Sequence, residues 1–331
     1  MNPEEILLQA EHVKKYFPIY DEGVLFSKKV GAVKAVDDVS FSVKKGETLG
    51  IVGESGCGKS TLGKTIMRLI EPTDGKILFH GKDIVHLNKE DMRKLRTAVQ
   101  MVFQDPYASL NPRMTIGKTL EEPLLIHQVG TAEERRKRVE RILEEVGLDD
   151  RNYGSYPHEF SGGQRQRIAI ARALINKPEL IIADEAVSAL DVSVQAQILN
   201  LMKDLQQRYQ LTYLFISHDL SVIRYISNRI LVMYLGRVME VAEAEELFTH
   251  TLHPYTQGLL AASPSLARRR KAKKTFLGMD IPSASNPPSG CVFHTRCPYA
   301  TEECSKKSPE LREVGKGHFV ACHQVQKTGS V

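Results

Sequence analysis

Predominantly apolar runs of strand length recur along the chain at Thr48–Val52, Leu180–Ala183 and Tyr213–Ser217, each followed by helical spacing. Such runs suit strands covered on both faces, and with helices between them they predict a mainly parallel sheet in an α/β fold. Between the second and third runs, Val194, Ile198, Leu199, Met202 and Leu205 fall on one helical face, completing a βαβ unit. A second stripe, Val139, Ile142, Leu143 and Val146, predicts a charged, half-exposed helix that stops at Gly147. The stretch from about Asp105 to Lys177 is rich in charged helical pattern and poor in strand signals, which predicts an inserted helical subdomain. After Glu246 the pattern changes. Pro254, Pro264, the basic run Arg268 to Lys274, Pro282, Pro287 and Pro288 mark a linker ahead of a cysteine-bearing tail. The expected division is therefore 1–246 and 247–331, with no internal repeat.

Composition adds limits. The 331 residues are 42% hydrophobic, enough for a sizeable core and for two domains or one large domain with an appendage. No apolar run reaches the roughly 18 residues of a membrane span, and Met1 to Ala10 lacks the basic start and apolar core of a secretory signal. The expectation is a cytoplasmic protein. A net charge of +5 is too small to choose between a membrane surface and nucleic acid as partner.

Gly53-Glu54-Ser55-Gly56-Cys57-Gly58-Lys59-Ser60 matches the P-loop pattern, follows an apolar strand and opens a helical stretch through Met67 and Leu69. Its glycines let successive backbone N–H groups turn toward phosphate oxygens at a helix N-terminus. Lys59 is expected to reach the outer phosphates of a nucleotide, Ser60 to ligate Mg²⁺ and Thr61 to donate to a phosphate. Cys57 occupies a variable position and reads as an inert thiol. Leu180-Ile181-Ile182-Ala183-Asp184-Glu185 is an apolar strand ending in two acids at the carboxyl edge of the sheet, a Walker B pattern. Asp184 is expected to hold Mg²⁺ through its water shell and Glu185 to polarise the attacking water.

A P-loop with Walker B fits many nucleotide hydrolases, so a further motif decides between them. Ser161-Gly162-Gly163-Gln164-Arg165-Gln166-Arg167, ahead of the helical run Ile168–Ile175, resembles the signature sequence of the ABC ATPases. Its hydroxyl and unobstructed N–H groups make a second anion site at a helix N-terminus. The resemblance implies a RecA-like core with an inserted helical subdomain, and a head-to-tail pair in which one subunit's signature covers the γ-phosphate on another's P-loop. It implies that Gln104 is the Q-loop residue touching Mg²⁺ and sensing a membrane partner. It implies that His218 contacts the γ-phosphate and that Ser188 and Asp191 belong to the D-loop linking two ATP sites. Tyr16 is similar to the aromatic that stacks on adenine, with Phe17 as its rival. Ala186 stands where many members have proline, which changes backbone stiffness beside Glu185.

Tyr16-Phe17-Pro18-Ile19, Val102 to Arg113 and His253-Pro254-Tyr255-Thr256 resemble the oligopeptide and dipeptide importer ATPases, especially the second of their two paired subunits. That resemblance covers nearly the whole chain. It implies a heterodimer with a related ATPase, two membrane permeases, an extracellular peptide-binding protein, and a place on the cytoplasmic face of the bacterial inner membrane. Nickel and glutathione importers share the same words. A soluble ABC ATPase acting on nucleic acid or translation is the alternative of a different class, but this chain has one cassette and neither a long heptad run nor an inserted CxxC pair.

Cys291-x5-Cys297-x6-Cys304-x17-Cys322 places four thiols in a segment poor in hydrophobic residues, which predicts a staple to order it. Four thiolates suit a cubane iron–sulfur cluster or structural Zn²⁺, with His294, His318 and His323 nearby, and free or disulfide-bonded thiols are the remaining option. Related importer ATPases carry such a tail with a [4Fe-4S] cluster, and the resemblance implies one here.

Overall fold

The computed structural model describes residues 6–21, 28–262 and 280–325. Pro264 and the basic run Arg268 to Lys274 lie outside the described residues. The strands are β1 (Ile6–Asp21), β2 (Lys28–Lys44), β3 (Thr48–Val52), β4 (Asp74–Phe79), β5 (Lys82–Asp83), β6 (Val99–Val102), β7 (Leu180–Asp184), β8 (Thr212–Ile216), β9 (Arg229–Tyr234), β10 (Arg237–Glu243), β11 (Arg312–Gly315) and β12 (His318–Val320). Contacts divide the described chain into two compact units.

One unit draws on the described parts of Met1–Lys44, Thr48–His86 and Ser217–Val331. Its first sheet has the order β2-β1-β4-β5 and is antiparallel throughout. The cause is visible in β2, where buried Val39, Phe41 and Val43 alternate with half-buried Ser40, Ser42 and Lys44. That period of two marks a strand with one covered face. In the same unit, β3 is buried at every position and pairs in parallel with β9. β9 then runs antiparallel to β10.

The tail is built onto this unit by strand addition. β12 pairs antiparallel with β10, joining Glu240 to Val320 and Val241 to Phe319, and β11 follows on its outer side. Leu252, Val320, Cys322 and Val325 form a small core with Val314 against it. Phe293 packs at 5.4 Å from the Tyr234 ring and 5.3 Å from the Tyr255 ring, edge-on to the first and tilted to the second. Each buried aliphatic or aromatic side chain of this kind contributes about 1.5–3 kcal/mol. Its apolar residues are few, but they complete a core that β10 and the helix Pro254–Ala262 already supply, so the described tail is ordered by packing.

The other unit comprises Lys45–Glu47 and Leu87–Ile216. Its strands lie in the order β8-β7-β6 and are parallel, with the fully buried β7 and β8 flanking the helix Val192–Tyr209 in sequence. Ile198, Leu199, Met202 and Leu205 are that helix's buried face, as the apolar spacing predicts. From Pro106 to Leu174 the regular elements are all helical: Pro106–Ser109, Ile116–Ile126, Ala132–Glu145 and Gly162–Leu174, with two short 3-10 turns between the last two. Val139, Ile142 and Leu143 face inward from Ala132–Glu145, whose N-terminus carries a full capping box between Thr131 and Glu134.

Candidate nucleotide site

The P-loop follows β3 and ends in the helix Lys59–Ile66, one turn shorter than the apolar spacing suggests, with Met67 as its cap and Leu69 exposed beyond it. Two glycines are required by space. A Cβ on Gly53 would lie 2.2 Å from the Met233 carbonyl oxygen, and one on Gly58 would lie 1.9 Å from that of Ala35. Gly58 also has φ of 103°, in the region open to glycine. Ser55 and Gly56 are exposed at the loop's crest, and Ser60 and Thr61 occupy the first helical turn. The buried Lys59 ammonium donates to the carbonyl oxygens of Gly53 at 2.8 Å and Glu54 at 3.0 Å, so it spans the loop from inside. Burial pushes the Cys57 thiol up.

Two side chains from the C-terminal region reach this loop. The Tyr255 hydroxyl accepts from the Glu54 N–H at 2.9 Å, and the Arg296 guanidinium grips the Glu54 carboxylate at 2.8 and 3.0 Å. Neither contact was legible in sequence, because the Arg296 pair joins residues 242 positions apart.

His218 and Tyr16 belong to the same unit as the P-loop. His218 is exposed in the turn between β8 and the helix Leu220–Ile226, whose cap is Asp219. Tyr16 lies on β1 with its hydroxyl donating to Asp37, a carboxylate also held by Arg237 at 2.7 Å. Lys34 sits over the Tyr16 ring at 5.7 Å, while Phe17 is exposed with Lys15 over its ring.

In the other unit, β7 delivers Asp184, 5% exposed, followed by Glu185. Glu185 has φ of 49°, a conformation costly for a side-chain-bearing residue. It is held there from both ends, because its N–H donates to the Ile216 carbonyl at 2.9 Å and its carboxylate accepts from the Gln104 amide at 2.9 Å. Ser188 donates through its hydroxyl to the Glu185 carbonyl at 2.9 Å. These contacts fix the backbone beside the buried Ala186 without a proline. Gln104 is thus joined to the acid itself, a link the motif alone does not reveal.

Ser161 caps the helix Gly162–Leu174 in a reciprocal box with Gln164: its hydroxyl accepts from the Gln164 N–H at 3.3 Å, and the Gln164 side chain accepts from the Ser161 N–H at 3.0 Å. A hydroxyl that accepts this bond retains a hydrogen to donate. Ser161 and Gly162 are exposed. A Cβ on Gly163 would meet Val194 at 2.5 Å, so the glycine there lets the signature helix approach the helix capped by Asp191. Asp191 accepts from the Val194 N–H at 3.0 Å and the Ser193 hydroxyl at 2.6 Å, and these bonds, led by Ser193, hold its carboxyl below the ordinary range.

Cys291, Cys304 and Cys322 are buried and Cys297 is half-buried, all as free thiols. Burial first, and then the neighbouring thiols, push Cys291 and Cys297 up to about 11. Among the described residues, no group of three or more His, Cys, Asp or Glu side chains is placed to hold a metal ion. The nearby histidines are otherwise engaged: His318 pairs with buried Glu240 at 2.8 Å, His294 with the Cys291 carbonyl and His323 with that of Lys307. Strand pairing with β10 and packing of Phe293 on Tyr234 and Tyr255 hold this cysteine-rich tail in place.

The comparisons agree with the motifs. Residues 36–188 match the family described as ABC transporter, and residues 239–304 match the oligopeptide/dipeptide transporter C-terminal region. An oligopeptide transport ATP-binding protein of Bacillus subtilis, AppF, is 58% identical over 97% of this chain and 98% of its own. The chain belongs to the oligopeptide/dipeptide branch of the ABC transporter ATPases. A Brucella ovis relative named for peptide import is 54% identical over 90% of this ABC ATPase and 94% of its own chain. Among solved structures, a dimeric ATP-binding cassette in a post-hydrolysis state with ADP and phosphate covers 72% of this ATPase and 99% of that chain, at 32% identity and a TM-score of 0.63. A Clostridium perfringens cassette from a cbiONQ transporter gives the same TM-score at 27% identity, over 74% of this chain and 91% of its own. This ABC ATPase thus has the P-loop cassette fold and is an ATP-hydrolysing enzyme.

Proposed function

We propose that this chain is the ATP-hydrolysing subunit that powers import of di- and oligopeptides across a bacterial cell membrane. The observation that carries the reading is end-to-end similarity to an oligopeptide transport ATP-binding protein, extending through the C-terminal region specific to that branch. Residues 1–246 form the cassette, with the helical subdomain at about 105–177, and 247–331 form its extension. Support comes from the motifs, all of which precede residue 220.

In this reading Gly53, Glu54, Ser55, Gly56, Cys57 and Gly58 wrap the phosphates with backbone N–H groups, and Lys59 moves from the loop carbonyls to the β- and γ-phosphates. Mg²⁺ neutralises phosphate charge. The hard oxygens of Ser60, Gln104 and Asp184 suit that cation, since phosphates and water supply its other ligands. Thr61 donates to a phosphate and Tyr16 offers its ring to adenine. Glu185 orients the attacking water and accepts its proton, with Gln104 holding the carboxylate and His218 donating to the γ-phosphate. Ser161, Gly162, Gly163 and Gln164 serve the ATP of a second, homologous ATPase, with Ser188 and Asp191 at that junction.

The chain is peripheral to the membrane on its cytoplasmic face, docked on two permeases that receive peptide from an extracellular binding protein. No described helix is long and apolar enough to cross a bilayer. Affinity purification of the full chain from detergent extract is expected to recover two permease subunits and a second ATPase, with ATPase activity stimulated by the peptide-loaded binding protein. Recovery of ribosomes or DNA alone would overturn the import reading.

A [4Fe-4S] cluster on Cys291, Cys297, Cys304 and Cys322, or a structural Zn²⁺ there, is a separate proposal. It rests on four thiols near enough to influence one another, and no step of ATP hydrolysis runs through it. Anaerobic purification is expected to yield brown protein with about four irons and four sulfides per chain. Zinc without sulfide would identify the zinc site instead, and metal-free protein with an intact tail would eliminate both.

A further inference from the structure

Glu54 occupies the second position of the P-loop and is held at three points. Its carbonyl accepts from Lys59 at 3.0 Å, its N–H donates to the Tyr255 hydroxyl at 2.9 Å, and its carboxylate takes both terminal nitrogens of Arg296. Only the first of these partners belongs to the P-loop. Tyr255 lies on the helix Pro254–Ala262, and Arg296 lies within the segment between Cys291 and Cys297.

The guanidinium is deeply placed, with 2% of its side chain exposed against 20% for Glu54. It also donates to the Tyr234 hydroxyl at 3.3 Å, and its central carbon lies 5.6 Å from the Tyr234 ring centre and 6.0 Å from that of Phe293. This arrangement fits arginine's planar fork better than a lysine ammonium. The charge has a further effect. A bare carboxylate in a loop that wraps phosphates repels the triphosphate, and the repulsion is stronger where water is partly excluded.

We propose that Arg296 is a positioning residue for ATP binding: it fixes the P-loop through Glu54 and cancels the one negative side chain in that loop, with Tyr255 fixing the same residue's backbone. The cysteine-bearing tail thereby becomes part of the nucleotide site's support. This rests on the reading that the P-loop binds ATP, and Lys59→Ala tests that reading separately.

The experiment is ATP titration of the full-length chain with a fluorescent nucleotide, paired with KM and kcat in the assembled transporter. Arg296→Ala is expected to weaken ATP binding about ten-fold, equivalent to about 1.4 kcal/mol, and to raise KM with little change in kcat. Adding Glu54→Gln to Arg296→Ala removes the uncancelled charge and is expected to restore affinity to within about three-fold of wild type. A merely structural arginine would gain nothing from that second change. Arg296→Lys keeps the charge but not the fork and covers the case in which alanine fails to fold; its affinity is expected to fall between those of wild type and Arg296→Ala. Wild-type affinity in a folded Arg296→Ala chain would overturn the proposal. So would no recovery in the double variant, or a loss in Arg296→Lys as large as in Arg296→Ala. If Lys59→Ala binds ATP as wild type does, the nucleotide reading itself fails.

Discussion

Glu185→Gln is expected to leave ATP binding within about two-fold of wild type while lowering turnover about 10²- to 10⁴-fold. Glutamine has nearly the same shape, and its side-chain oxygen still accepts from Gln104, which lies 2.9 Å from the carboxylate in the wild type. The bond from the Glu185 N–H to Ile216 involves only backbone and is unaffected. What is lost is the basic oxygen that takes a proton from water. ATP should then accumulate unhydrolysed between paired cassettes, seen as a stable ATP-bound dimer on size exclusion. Steady-state turnover equal to wild type would remove Glu185 from its catalytic place.

Gly58→Ala meets the shortest clash of any glycine-to-alanine change among the described residues and is expected to be severely damaging. The new Cβ would sit 1.9 Å from the Ala35 carbonyl oxygen, which is backbone of β2 and cannot swing aside. At φ of 103° an alanine is strained even in open space. The P-loop must therefore shift as a whole, and the N–H groups that follow Gly58 move off the phosphate positions. ATP affinity is expected to fall at least about 100-fold, with stability lower by about 2 kcal/mol or more. Nucleotide titration and thermal melting read the two effects. Wild-type affinity in this variant would show that the loop's observed conformation is not the binding one.

Three of the parallel strands were legible because each is a continuous, mostly apolar run buried at every position, and β3 matches its predicted bounds while β7 and β8 match within a residue; the parallel strands β6 and β9 were not foreseen. The antiparallel sheet of β1, β2, β4 and β5 was not foreseen, although the alternation from Val39 to Lys44 carried its signal. Attention to unbroken runs hides half-covered strands, whose period is two. Motif residues stood out through local spacing, so Lys59 and Ser161 appear at helix starts and Asp184 at a strand end as predicted, with Glu185 just past that end. The links among them were not legible. The Gln104–Glu185 bond spans 81 positions and the Arg296–Glu54 pair 242, and single-chain patterns do not record which distant residues meet. The packing of the tail was not legible for a related reason. Its apolar residues are too few for a core of their own, but the count omits what β10, Tyr234 and Tyr255 contribute.

The pairing of β12 with β10 has a bearing on solubility. β10 is mostly buried and rich in apolar residues, with Val238, Met239, Val241 and Ala242 in succession around Glu240. Left uncovered, its row of backbone donors and acceptors would be a template for strands of other molecules. β12 pairs with the middle of β10, at Glu240 and Val241, and the outermost strand, β11, is only four residues long and carries Arg312 and Glu313. A short charged rim is a poor surface for edge-to-edge aggregation, so the C-terminal segment shields the middle of β10 from pairing with other molecules.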